Sequence, residues 1–254
     1  LGSESTDLTI AEGLTINPTN NQGGFDSGLA DLTLNGPVTV SGGGISSSGG
    51  TLTFGTGSGS SSFSDNTGVM LADTSLVLQT NINLSYLNLA GTSSLQTNGN
   101  TLTPVYLEIA TNTELDLTNA VTSETSIFLG GDSSINYTGD LQAKQISLKG
   151  NSLTLNPAIT SLTTDDIYFT DYDNNSSNYG NIGEFIAQGV NIKLSTPLHI
   201  EKGIMQMGGG TLSLEQGGEV REDSELNLSN SILELGGPFY NMQGKGTLTT
   251  SAST

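Results

Sequence analysis

"LVLQTNINLSYLNLAGTSSLQTNGNTLTPVYLEIATNTELDL", residues 76–117, carries the pattern that decides the fold. It begins with one aliphatic pair split by a single residue, Leu76-Val77-Leu78, and ends with another, Leu115-Asp116-Leu117. The same short signature recurs at Leu14-Thr15-Ile16, Leu32-Thr33-Leu34, Leu153-Thr154-Leu155, Ile192-Lys193-Leu194 and Leu212-Ser213-Leu214. Alternation at period two marks a strand with one buried and one wet face. Gly, Asn, Ser and Asp bound these strands, which are three to five residues long. No run has helical spacing.

Working outward, one pair per cycle gives the row Leu32, Leu52, Leu76, Leu95, Leu115, Ile135, Leu153, Ile192, Leu212, Leu233. Its steps are 20, 24, 19, 20, 20, 18, 39, 20 and 21, and the step of 39 reads as two cycles with a marker missing near residue 172. Two further apolar positions fall inside each cycle. Leu76 is followed by Ile82 and Leu87, Leu95 by Leu102 and Leu107, Leu115 by Val121 and Ile127, and Leu153 by Ile159 and Ile167. Three short strands per turn of about 20 residues is the arithmetic of a right-handed, single-stranded parallel β-helix, an all-β solenoid. No turn buries its own apolar edge, so turns stack at about 4.8 Å and share one core; about eleven would make a rod on the order of 50 Å long.

Corners agree with this. Asn17-Pro18, Asn35-Gly36 and Asn156-Pro157 each follow a strand, and Asn accepts the left-handed backbone that a sharp corner needs. A hairpin sandwich would show longer strands joined by two-residue turns. The solenoid is the expected fold, with residues 1–31 as an N-terminal strand, cap or appended segment. The helix itself occupies 32–254, with a lateral loop near 163–181.

Composition limits what such a solenoid does. Six Lys+Arg stand against 25 Asp+Glu, a formal charge of -19. Binding nucleic acid or anionic lipid requires Lys and Arg to displace counterions, and the one arginine (Arg221) and scattered lysines form no patch. Cysteine is absent, which removes thiol chemistry and disulfides. No apolar stretch of about 20 residues exists to span a membrane. The start has no basic n-region with an apolar core, so an export signal lies outside this stretch or has been removed.

Gly49-Gly50-Thr51-Leu52-Thr53-Phe54, Gly209-Gly210-Thr211-Leu212-Ser213-Leu214 and Gly246-Thr247-Leu248-Thr249 resemble the glycine-led turns of autotransporter passenger domains. In texture, residues 30–254 are similar to those passengers and to filamentous-haemagglutinin-like adhesins. The resemblance implies an exported bacterial protein, extracellular or on the cell surface, with adhesive or structural duty. The partner it implies is a surface glycan or protein of a host or neighbouring cell, or further copies of the chain. The C-terminal membrane barrel of an autotransporter has no counterpart here.

An enzyme is not expected. Pectin-degrading β-helices need acidic calcium ligands with an Arg or Lys base, or paired aspartates with His and Arg. Asp165-Asp166 is the one such pair, and counting turns places His199 and Arg221 too far along to converge on it. A glycan-processing β-helix of tail-spike type is the enzymatic alternative. Ice binding fails on its lattice: the outward row includes Asp31, Glu114, Asp116 and Lys193, and only Thr51/Thr53 supplies two threonines. His199, between Leu198 and Ile200, reads as an exposed strand residue, and Tyr86, Tyr106 and Tyr137 read as packing. Sequons at Asn83, Asn136 and Asn227 would matter only in a eukaryotic secretory context.

The stretch 163–181, "TTDDIYFTDYDNNSSNYGN", concentrates acids and rings where the marker is missing. As a side loop it offers Asp165, Asp166, Tyr168, Tyr172 and Tyr179 as binding residues. Asp171, Asp173 and Asn175 have the alternate oxygen spacing of a calcium loop, the one cofactor the sequence suggests. Ser176 and Ile182 occupy the places of the Gly and bidentate Glu of the helix-loop-helix pattern. Two duties follow: an adhesive solenoid contacting a partner through its loops, or a fibre subunit stacking through open strand edges.

Overall fold

The structure, a computed structural model, describes residues 7–18, 23–110, 114–170, 181–221, 223–241 and 247–251. The chain divides into two compact units, Leu1–Val121 and Thr122–Thr254. Both are built of parallel strands in coils of about 20 residues, a β-solenoid of about 11 turns. The described residues contain no α-helix and a single 3₁₀ turn, Thr56–Ser60.

In the first unit the opening coil consists of Leu8–Ile10, Leu14–Ile16 and Phe25–Asp26. The next consists of Leu32–Leu34, Val38–Val40 and Gly44–Ser47, and the third of Thr51–Phe54, Ser62–Phe63 and Gly68–Ala72. Leu8 pairs with Leu32, Leu32 with Leu52, Leu52 with Leu76 and Leu76 with Leu95, all in parallel register. Leu32, Leu52 and Leu76 are fully buried. Each such side chain contributes roughly 1.5–3 kcal/mol by leaving water. Leu34, Phe54 and Leu78 form a second buried column, and the Phe54 ring meets Phe63 edge-on at 6.4 Å.

Three short strands per coil describes those coils and fails in the middle of the chain. There two strands fuse into one of nine or ten residues: Ile82–Ala90 and Leu102–Ala110 in the first unit, Gly139–Ser147 and Ile159–Tyr168 in the second. The corner survives as a slip in alternation. Ser85 and Tyr86 both avoid the core between buried Leu84 and Leu87, and Val105 and Tyr106 do so between Pro104 and Leu107. No glycine interrupts Ile82–Ala90, so the chain bends without leaving the ladder. Where Ser41-Gly42-Gly43 intervenes, the strands separate. Gly43 has φ +68, and a Cβ there would overlap the carbonyl oxygen of Gly23 one coil away.

The second unit corrects the marker row. Leu153 pairs with Phe185, Phe185 with Met205 and Met205 with Leu226 in one sheet; Leu141, Leu162, Ile192, Leu212 and Leu233 stack in another. The step of 39 therefore hides no lost cycle. One coil is longer, with 32 residues from Leu153 to its partner Phe185, and the row passes from one sheet to the next. Ile135 pairs with Leu155, not Leu153. Thr163–Tyr168, read from sequence as the start of a side loop, continues the strand Ile159–Tyr168. In that longer coil Phe185 and Val190 are buried as core residues, but Ile182 is 53% exposed.

Asparagine also works differently than expected. Asn17, Asn35 and Asn156 are not left-handed; Asn66, Asn98, Asn119 and Asn230 are. Asn156 shapes its corner through its side chain, whose Oδ1 accepts the Ala158 N–H at 3.0 Å. Other Asp and Asn side chains bracket successive coils. Asp31 Oδ1 accepts the Thr51 N–H (2.6 Å), Asn81 that of Thr101 (2.9 Å), Asp132 that of Ser152 (2.7 Å) and Asn191 that of Thr211 (3.0 Å), each across 20 residues. Among the described residues no buried side-chain nitrogen or oxygen lacks a partner.

Candidate functional site

The second unit contains a groove of about 220 Å³ lined by Asp166, Ile167, Tyr168, Phe169, Thr170, His199, Glu201 and Arg221. It forms where a fused-strand coil meets a split one. The strand Ile159–Tyr168 pairs with Asn191–Leu194 only from Ser161 to Thr164. Ser195 and Thr196 still donate their N–H groups to the Thr164 and Asp165 carbonyls, the chain leaves the ladder at Pro197, and Leu198–Ile200 starts a separate strand. Pro197 has no N–H to give to a ladder, which suits it to this departure. Asp166 to Tyr168 and His199 line the recess that results.

Asp166 Oδ1 accepts the Ile167 N–H at 2.8 Å. Burial pushes its carboxyl above the usual aspartate value; hydrogen bonds from Ile167, Tyr168 and Thr196 and the charge of His199 oppose that shift. Tyr168 is 41% exposed, and Phe169 beneath it is buried. The seating of Phe169 depends on an absent side chain, because a Cβ on Gly203 would stand 2.5 Å from its ring.

Across the groove lies a charged chain. Arg221 Nε donates to Glu219 Oε1 at 2.6 Å, and its Nη1 donates to Glu201 Oε2 at 2.7 Å. His199 Nδ1 lies 3.0 Å from the same Glu219 Oε1. The Glu219 side chain is only 12% exposed. Burial alone would raise its carboxyl, but bonds from His199 and Arg221 and their charge outweigh that and hold it below the usual value.

The expectation that His199 and Arg221 could not converge on the aspartate pair is therefore wrong for Asp166. Counting a lost cycle overstated the separation, and Arg221 reaches back along the stack toward Glu201. Asp165 points elsewhere: its carboxylate accepts the Ser195 hydroxyl at 2.6 Å, and its carbonyl accepts that of Thr196 at 2.6 Å. Of the expected binding residues, Asp166 and Tyr168 line the groove; Tyr172 and Tyr179 lie outside the described residues, as do Asp171, Asp173 and Asn175 of the calcium reading. Among the described residues no group of three or more His, Cys, Asp or Glu could hold a metal ion.

Sequence reasoning missed Glu201, Glu219 and Phe169 and set His199 and Arg221 aside. One signal was present. His199/Glu219 and Glu201/Arg221 are each 20 apart, the coil period, so both pairs fall on neighbouring coils. The chain matches no protein-family model, no curated protein and no solved structure.

Proposed function

We propose that the chain is a non-enzymatic β-solenoid scaffold of a bacterial cell surface, exported and adhesive or structural in duty. One observation carries this reading: many carboxylates, Asp166 of the groove excepted, are fastened between coils. Asp31, Asp132, Asp140, Asp165, Glu201, Glu215 and Glu219 bond respectively to Thr51, Ser152, Ser161, Ser195, Arg221, Lys193 and His199, about one coil or more away in sequence. Such bonds hold a scaffold in register. The glycine-led turns, through their resemblance to autotransporter passengers, support a surface location.

The adhesive duty is tested by attachment of the purified chain to bacterial and host cells. Polygalacturonate and other acidic glycans should remain undegraded. Turnover abolished by Asp165→Asn together with Asp166→Asn would replace this reading with a glycan-processing one, which draws its support from Asp166, His199 and Arg221 sharing a groove. A fibre-subunit reading draws on Ile232, Leu235 and Tyr240, each about half exposed in the last described coil. Electron micrographs at high protein concentration separate the two, discrete particles favouring the adhesive scaffold and end-to-end filaments the fibre.

A further inference from the structure

We infer that the groove of Asp166, Tyr168, His199, Glu201 and Arg221 is a binding site for a neutral saccharide chain. The inference rests on the adhesive reading and names its ligand. The lining mixes acceptors with donors: carboxylates on Asp166 and Glu201, and N–H or O–H groups on Arg221, Tyr168, Thr170 and His199. An anionic ligand would meet Asp166 and Glu201, and a cationic one would meet Arg221. Each would lose to like-charge contact part of what it gained. A neutral polyol has no such conflict, since every hydroxyl both donates and accepts.

Tyr168 adds a partly exposed ring beside this polar array, and buried Phe169 keeps the floor apolar. An aromatic face next to convergent polar groups suits a sugar ring, which has an apolar C–H face and a polar rim. The polar groups are also held in place. Arg221 is fixed by Glu201 and by largely buried Glu219, so little side-chain freedom remains to be lost on binding. At about 220 Å³ the recess is smaller than the ~300–1,000 Å³ pockets that enclose whole drug-sized molecules, so it takes part of a chain.

The test is binding of the intact chain to immobilised hexasaccharides. The panel comprises neutral hexose, pentose, 6-deoxyhexose and N-acetylhexosamine chains, an anionic galacturonate chain and a cationic glucosamine chain. At least one neutral chain should bind at least tenfold tighter than either charged one. Tyr168→Ala should weaken that binding at least tenfold at unchanged melting temperature, and Tyr168→Phe, which keeps the ring, should weaken it less. Arg221→Gln should weaken it too. No neutral chain bound, a charged chain preferred, or indifference to Tyr168→Ala overturns the inference. Attachment to whole cells is measured in parallel. Attachment without neutral-sugar binding overturns the ligand class and leaves the adhesive reading standing; absence of both removes that reading as well.

Discussion

The Phe169 ring lies over the backbone of Gly203, so close that a Cβ on the glycine would stand 2.5 Å from ring atom Cδ1. Phe169 lines the groove and is 2% exposed. Gly203→Ala should therefore cost about 1–3 kcal/mol, the usual cost of forcing an extra carbon into a packed interior. Thermal melts followed by circular dichroism would show it. An unchanged melting temperature would mean that the ring has slack and the floor is soft.

Leu115 and Asp116 test which way a strand faces. Leu115 is 1% exposed and Asp116 is exposed. Leu115→Asp buries an unpaired carboxylate and should cost several kcal/mol. Asp116→Ala loses only a local bond from the Thr118 N–H and should stay within about half a kcal/mol of neutral. Equal effects in chemical denaturation would reject the assignment.

Asp166 and Glu219 should pull stability in opposite directions with pH. Asp166 has its folded value raised, so its neutral form suits the fold: its contribution is full below the ordinary aspartate value and is lost as pH rises through the folded one. Glu219 is lowered, so its contribution is present above the ordinary glutamate value and is lost as pH falls through the folded one. At neutral pH, Asp166→Asn should raise the melting temperature and Glu219→Gln should lower it. Both differences should fade in acid below the ordinary carboxyl range. Melting curves across pH decide; a destabilised Asp166→Asn at neutral pH would show that its hydrogen bonds outweigh its burial.

Tyr86 gives a spectroscopic check on the first unit. Burial, with its hydroxyl donated to Glu108, pushes its ionisation up to about 12. Alkaline absorbance titrations of the chain and of its Tyr86→Phe variant should differ by one ionisation near pH 12, and Glu108→Gln should move that difference to lower pH. A difference with no late step would contradict the contact.

The period was legible in the sequence because the core is made of long aliphatic columns, and Leu32, Leu52 and Leu76 fall one coil apart with little between them to blur the count. The fused strands were less legible. A bend such as that at Ser85 and Tyr86 is made by two outward residues in succession, and a reader of alternation takes that for a break. The row slipped at Leu153 because Phe185 and Met205 take over its column, and neither sits in an aliphatic pair of the sought kind. The groove was illegible for a related reason. It depends on where one coil departs from another, at Pro197, and on Arg221 reaching back along the stack. Composition counts Arg221 as a lone cation; its spacing of one coil period from Glu201 makes the two neighbours once the stack is in view.

The side-chain brackets have an evolutionary corollary. Asp132 holds Ser152, and Asn191 holds Thr211, only while the number of residues between them is kept. Losing one residue from such an interval would break the bracket and turn every following side chain to the opposite face until the chain found its phase again. Duplicating or deleting a whole coil leaves every bracket and facing intact, since each coil touches only its neighbours. Lineages of this chain should accordingly differ in length by multiples of about 20 residues, and odd-sized insertions should collect at the corners between strands rather than within them.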